Sequence, residues 1–203
     1  GLTTIRPGED RFYNPLPLFH MNHLAITATA AMLTRNALVL TERFSPNRWW
    51  DEIVETGATI VHYLGIVAPT LLNQPTSELE RRHKVRFGLG AGVEPQLHGV
   101  FERRFGFPLA EVWGMTETGR ILCANIEPRQ IHTRAFGRAI DVMDARVVDE
   151  HDRDEHDHDR RGRHQRAQLS PRNPRADSRP SRFAGAAFSL VLRWGPCFRA
   201  HAR

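Results

Sequence analysis

Cysteine is scarce in this chain. Cys123 and Cys197 are its only two, 74 positions apart among 203 residues, with no CxxC pair, so neither a disulfide scaffold nor a zinc finger is expected. A reducing cytoplasm is the expected compartment. Lysine is scarcer still: Lys84 stands alone against 27 arginines, so chemistry that requires a lysine has one candidate. No run of 18 or more apolar residues occurs, and the first residues, GLTTIRPGED, lack the basic, apolar and small-residue regions of a signal peptide. Nothing in the sequence calls for a membrane span. Acidic charge runs short only at one end. Residues 151–203 hold 12 arginines against 6 acidic groups, so the net charge of +5 belongs to that tail. No specific nucleic-acid partner is expected there, because residues 151–182 lack the interleaved aromatics that stack on bases.

What is present is an alternation of strands and helices. Residues 11–19, RFYNPLPLF, read as a buried strand running into a loop, and 22–33, apolar nearly all round, as a buried helix. Ala37–Leu40 is a strand. Ser45-Pro46 looks like a cap followed by proline at the first helical position, with Trp49, Ile53 and Val54 at helical spacing up to Gly57. Further strands are expected over 58–64, 85–89 and 109–113, and helices over 69–73 and 95–105. This order predicts an α/β fold, a mostly parallel sheet flanked by helices. Ala139–Val148 looks like the first strand of a different, antiparallel element. Near residue 150 the pattern stops. His151–Asp159 is a solvated charged run, 151–182 is expected to be disordered because it offers too little burial to offset its entropy, and 183–194 reads as a short, isolated apolar stretch. The chain therefore divides into residues 1–150, a folded unit, and 151–203, a basic low-complexity tail.

The most informative segment is Trp113-Gly114-Met115-Thr116-Glu117-Thr118-Gly119, directly after an expected strand, where open α/β sheets bind ligands. An aromatic can stack on a base, a hydroxyl can donate to a phosphate oxygen, and a carboxylate can hold a hard cation. A plain turn is the alternative reading. The heptapeptide resembles the Y/W-G-x-T-E-T/S signature of the adenylate-forming superfamily. Three further segments resemble that family in order: Pro15-Leu16-Pro17-Leu18-Phe19-His20, Gly88-Leu89-Gly90-Ala91-Gly92-Val93-Glu94-Pro95, and Ala135-Phe136-Gly137-Arg138 followed by Ala145–Asp149. The combination of PLFHMN with WGMTET is most similar to crotonobetaine/carnitine-CoA ligases and medium-chain fatty acyl-CoA synthetases.

The resemblance implies a central piece of the large N-terminal domain of such an enzyme, which adenylates a small-molecule carboxylic acid with ATP and Mg2+ and passes the acyl group to CoA. It implies nucleotide contacts from Gly90, Ala91, Gly92, Trp113, Gly114, Met115 and Thr116, catalytic roles for Thr116 and Glu117, a Mg2+ contact for Glu117, and an acyl-pocket place for His20. It also implies an upstream phosphate loop ending in Pro-Lys and a downstream T-G-D and adenylation lysine. None of these occurs in the sequence, so the expectation is a fragment without turnover, or a non-catalytic nucleotide-binding or interaction module, with a tail read out of frame. Neither the acyl substrate nor the oligomeric state is legible.

Overall fold

The computed structural model describes residues 2–141, 143–148 and 189–194, with 144, 146–148 and 189–194 described by their backbone alone. A seven-stranded sheet runs in the order β2-β1-β3-β4-β5-β6-β7. Its parallel part is β2 (Ala37–Leu40), β1 (Arg11–Asn14), β3 (Ile60–Leu64), β4 (Phe87–Ala91) and β5 (Leu109–Met115). The sheet then turns antiparallel through β6 (Gly119–Cys123) and β7 (Arg138–Ala139), so it is mixed.

Alternation along the strands feeds two apolar layers. Tyr13, Val61, Tyr63 and Leu109 face one layer, closed by Trp49, Trp50 and Ile53 of α2 (Trp49–Thr56), Val67, Ala68 and Leu71 of α3 (Val67–Leu72), and Phe101 and Phe105 of α4 (Pro95–Phe105). Phe12, Ile60, Phe87, Leu89, Ala110 and Val112 face the other, which receives Ala31 of α1 (Thr29–Leu33). Aromatic edges lock the first layer: the Phe101 and Phe105 rings meet at 4.5 Å, and Trp50 and Phe105 at 4.8 Å.

Several elements differ from their sequence reading. Residues 22–33 are a π-helical stretch, Asn22–Ala28, continued by α1. Only the side bearing Thr27, Ala28 and Ala31 is buried, while Leu24, Met32 and Leu33 are exposed, because one face of the segment has a sheet to pack on. The Ser45-Pro46 pair does not cap α2. The N–H of Arg48 donates to the Ser45 carbonyl in a turn, and the helix starts at Trp49; it ends, as expected, at Gly57 with φ 65°. Pro69 lies inside the first turn of α3, where a missing N–H costs little. The β4 ladder starts two residues later than expected, after His83 Nδ1 has accepted the N–H of Val85. The expected helix 95–105 is observed with those bounds.

β8 (Met143–Val148) begins a second, antiparallel sheet, as expected. The stretch read as isolated is not: β9 (Ser189–Trp194) pairs with β8 along all six of its residues. The segment 151–182, expected to be disordered, lies outside the described residues. Among the described residues no helix is long and apolar enough to cross a membrane.

Glu102 ties α4 to its surroundings. Its carboxylate accepts the N–H of Leu109 at 2.8 Å and Arg129 Nη1 at 2.6 Å, and lies 3.1 Å from the His98 ring. Burial alone would raise its pKa, but the bonds from His98, Arg129 and Leu109 outweigh it and hold the carboxyl at about 2. A depressed carboxylate stabilises the fold above its ordinary pKa near 4.5 and loses that contribution as pH falls toward 2. Urea titrations from pH 6 to pH 2 should show up to about 3 kcal/mol of acid-sensitive stability that Glu102→Gln lacks; parallel pH profiles for the two proteins would contradict this.

Candidate functional site

β1, β3, β4 and β5 run parallel, so their carboxyl ends share one edge of the sheet. There Leu64 pairs with Ala91 and Gly90 pairs with Glu111. The turn from β4 into α4 and the hairpin from β5 into β6 therefore sit side by side.

Packing within the fold accounts for the β4 glycines. A Cβ on Gly90 would collide with the Tyr63 carbonyl and ring, and Gly92 takes a φ of 88° that side chains disfavour. A Cβ on Gly65 would strike the Gly92 carbonyl, so the turns after β3 and β4 touch backbone to backbone. Pro95 opens α4, and the preceding Glu94 makes no side-chain cap.

Sequence reasoning missed the residue that shapes this turn. Glu111, buried on β5, accepts the Tyr63 hydroxyl at 2.8 Å and the N–H of Val93 at 3.4 Å through Oε1, and the N–H of Gly92 at 2.7 Å through Oε2. Burial raises its pKa; the Tyr63, Gly92 and Val93 bonds pull the other way without cancelling that rise. A charged residue inside the apolar strand LAEVW was the available signal.

The heptapeptide is a hairpin rather than a loop after a strand. β5 extends to Met115, and the N–H of Thr118 donates to the Met115 carbonyl at 3.1 Å, turning the chain into β6 at Gly119 with φ 69°. The ladder shifts register between Trp113 and Gly114, and a Cβ on Gly114 would collide with the Gly119 backbone. Trp113 is half-buried against Ile121, Leu122, Met143 and Ala145. Met115, Thr116 and Glu117 are exposed; among the described residues the side chains of Thr116 and Glu117 carry no hydrogen bond or ion pair.

His20 stands beyond the end of β1, which β3 separates from β4. It is exposed, with its ring 4.6 Å from that of Phe19. Between the end of β1, the segment after it and β3 lies a polar group that sequence reasoning also missed. Asn14 donates to Thr27 Oγ1 at 2.7 Å and to Asn22 Oδ1 at 3.1 Å, and His62 Nδ1 is 3.2 Å from the same Asn22 oxygen. Burial first, and then the charges of His23 and Arg120, push the His62 pKa down to about 3, so the ring is neutral. Among the described residues no three His, Cys, Asp or Glu side chains gather as a metal site.

The Gly90 contact sets a prediction. Gly90→Ala should destabilise the fold by about 1–3 kcal/mol through overpacking against Tyr63, read as a lower thermal midpoint with no ligand present. An unchanged midpoint would mean that Gly90 is not constrained by packing.

Human long-chain fatty acid transport protein 1 is 37% identical over 109 residues, 53% of this chain and 17% of that protein. The medium/long-chain-fatty-acid–CoA ligase FadD6 of Mycobacterium tuberculosis is 37% identical over 99 residues, 49% of this chain and 17% of its own length. The chain thus spans about a sixth of these curated relatives. The fold matches O-succinylbenzoate coenzyme A synthetase from Bacillus subtilis in complex with AMP, with a TM-score of 0.61 at 23% identity over 72% of this chain and 30% of that one. It also matches the N-terminal domain of FACL13 from Mycobacterium tuberculosis, with a TM-score of 0.64 at 21% identity over 71% and 37%. The family described as AMP-binding enzyme matches residues 2–163, most of the length, and the chain belongs to that family.

Proposed function

We propose that this chain carries the base-side half of the nucleotide site of an ATP-dependent acyl-CoA synthetase, within residues 1–150, and that by itself it binds nucleotide without turnover. The observation that supports this most is the adjacency of the β4–α4 turn and the β5–β6 hairpin at the carboxyl edge of a sheet, with unpartnered Thr116 and Glu117 at the hairpin tip.

In this reading the exposed side of Trp113 and the backbone of Gly90, Ala91 and Gly92 flank the base, Gly114 and Met115 complete that wall, and the Thr116 hydroxyl donates to the α-phosphate. Mg2+ binds through few carboxylates and keeps phosphate and water ligands, which the lone, exposed Glu117 fits; the ion would offset negative charge on the phosphates. The parent reaction joins a carboxylate oxygen to the α-phosphorus with loss of pyrophosphate, and the CoA thiol then displaces AMP. Thr116 and Glu117 would steady charge at the phosphorus. His20, beside the exposed Leu18 and Phe19, would line the acid's entry, and the names of the relatives support an aliphatic acid.

Turnover by the chain alone is disfavoured by the position of Lys84. It precedes β4, at the amino end of the strand whose carboxyl end forms the site, a strand length of ~17 Å away. The proposal therefore predicts AMP binding near the millimolar range, about 4 kcal/mol, by tryptophan fluorescence, with Trp113→Phe removing the responsive signal. Thr116→Ala should weaken binding by about 1–2 kcal/mol. Glu117→Gln should leave AMP affinity nearly intact and alter only the Mg2+ dependence seen with ATP. No pyrophosphate should be released with ATP, Mg2+, CoA and short- or medium-chain acids. Equal AMP affinity in wild type and Thr116→Ala would remove the site assignment, and robust turnover would refute the non-catalytic reading.

A further inference from the structure

We infer that Glu111 is a positioning residue: its buried carboxylate presets the β4–α4 turn in the shape that receives the nucleotide. The inference rests on the nucleotide reading above. A single carboxylate on β5, two residues before Trp113 on the same strand, bonds both amides of the turn after β4.

Glu111 stands two residues before Trp113 on the same strand and pairs across the ladder with Gly90. Its two oxygens divide the work. Oε2 takes the N–H of Gly92 at 2.7 Å, while Oε1 takes the N–H of Val93 at 3.4 Å and the Tyr63 hydroxyl at 2.8 Å. The Tyr63 hydroxyl also lies 3.2 Å from the Ala110 carbonyl, so the ring that packs on Gly90 is held at its far end as well. Two consecutive amides in a turn that passes through a φ of 88° at Gly92 would otherwise point into the protein without acceptors. Leaving a buried donor unpaired is costly. The carboxylate removes that cost and sets the direction of the turn, so its outward face is formed before a ligand arrives.

An amide cannot replace this group. Glutamine has one acceptor oxygen and one N–H2. In either orientation its N–H2 faces a backbone donor, the Gly92 N–H in one case and the Val93 N–H in the other, where only the Tyr63 hydroxyl can turn to accept. Glu111→Gln keeps shape and volume but reverses one side of the hydrogen-bond pattern. Tyr63→Phe is the complement, because it removes a bond to the same carboxylate and leaves both amides paired.

The test uses the full chain. Amide hydrogen exchange without nucleotide should find the N–H groups of Gly92 and Val93 strongly protected in wild type and in Tyr63→Phe, with at least one of the two exchanging tenfold or more faster in Glu111→Gln. AMP, titrated against tryptophan fluorescence, should bind Tyr63→Phe within about twofold of wild type and Glu111→Gln about tenfold more weakly. A residue that merely stabilised the core would move both variants alike. Equal affinity in wild type and Glu111→Gln would overturn the positioning role while leaving the nucleotide reading standing. A wild type that binds no AMP would overturn the nucleotide reading and, with it, this inference. If Glu111→Gln fails to fold, the wild type still decides: unprotected Gly92 and Val93 amides in the absence of nucleotide contradict a preset turn.

Discussion

The contact on which the arrangement depends is the one between Tyr63 and β4. Gly88 and Gly90 give up their side chains on the face they share with Tyr63, so the tyrosine ring can lie across the strand and send its hydroxyl to Glu111 on the next one. Three parallel strands are thereby tied by one side chain, and the carboxylate it meets holds the turn that leaves the sheet. Burial raises the Tyr63 hydroxyl well above its ordinary pKa, and the neighbouring Glu111 charge adds to the rise, so the hydroxyl stays a donor. A side chain larger than hydrogen at position 90 would open the strand spacing that every other contact at this edge uses.

That constraint gives each glycine at this edge a structural reason. Gly90 and Gly114 are required by the fold itself, one by Tyr63 and the other by the Gly119 backbone. Gly92 is required by its backbone conformation. The glycines that the proposal sets beside the nucleotide are therefore needed to build the edge itself. The parts left without internal partners, Thr116 and Glu117, are the ones free to meet a ligand, while Trp113 divides itself between the apolar cluster around Ile121 and Leu122 and solvent.

Much of the fold was legible because its elements are locally determined. Helix 95–105 has proline at its first position and glycine after its last, and α2 stops at Gly57 for the same reason. The β-branched and aromatic run at Ile60–Leu64 is buried on both faces except at its end. What escaped sequence reading depends on distant partners. Ser45-Pro46 has the composition of a cap but spends its carbonyl on a turn, and 22–33 looks buried all round although only one side has a sheet to lie on. β6 was missed because Gly119–Cys123 becomes a strand only by folding back on β5. β9 was missed because its partner, β8, lies some 40 positions earlier. At the site, the exposed tips carried recognisable residue types, whereas Glu111, Tyr63 and the Asn14, Asn22, Thr27 and His62 network act from inside and resemble ordinary core positions.

The central claim is that nucleotide binding occurs at the adjoining carboxyl ends of β4 and β5. Chemical-shift mapping of the 15N-labelled chain during an AMP titration tests it most directly. The account predicts that the amides moving with ligand cluster at 90–93 and 113–117, with the amino-terminal end of β4 around Lys84 unmoved. Shifts confined to residues outside those two segments, or an unchanged spectrum at saturating AMP, would contradict it.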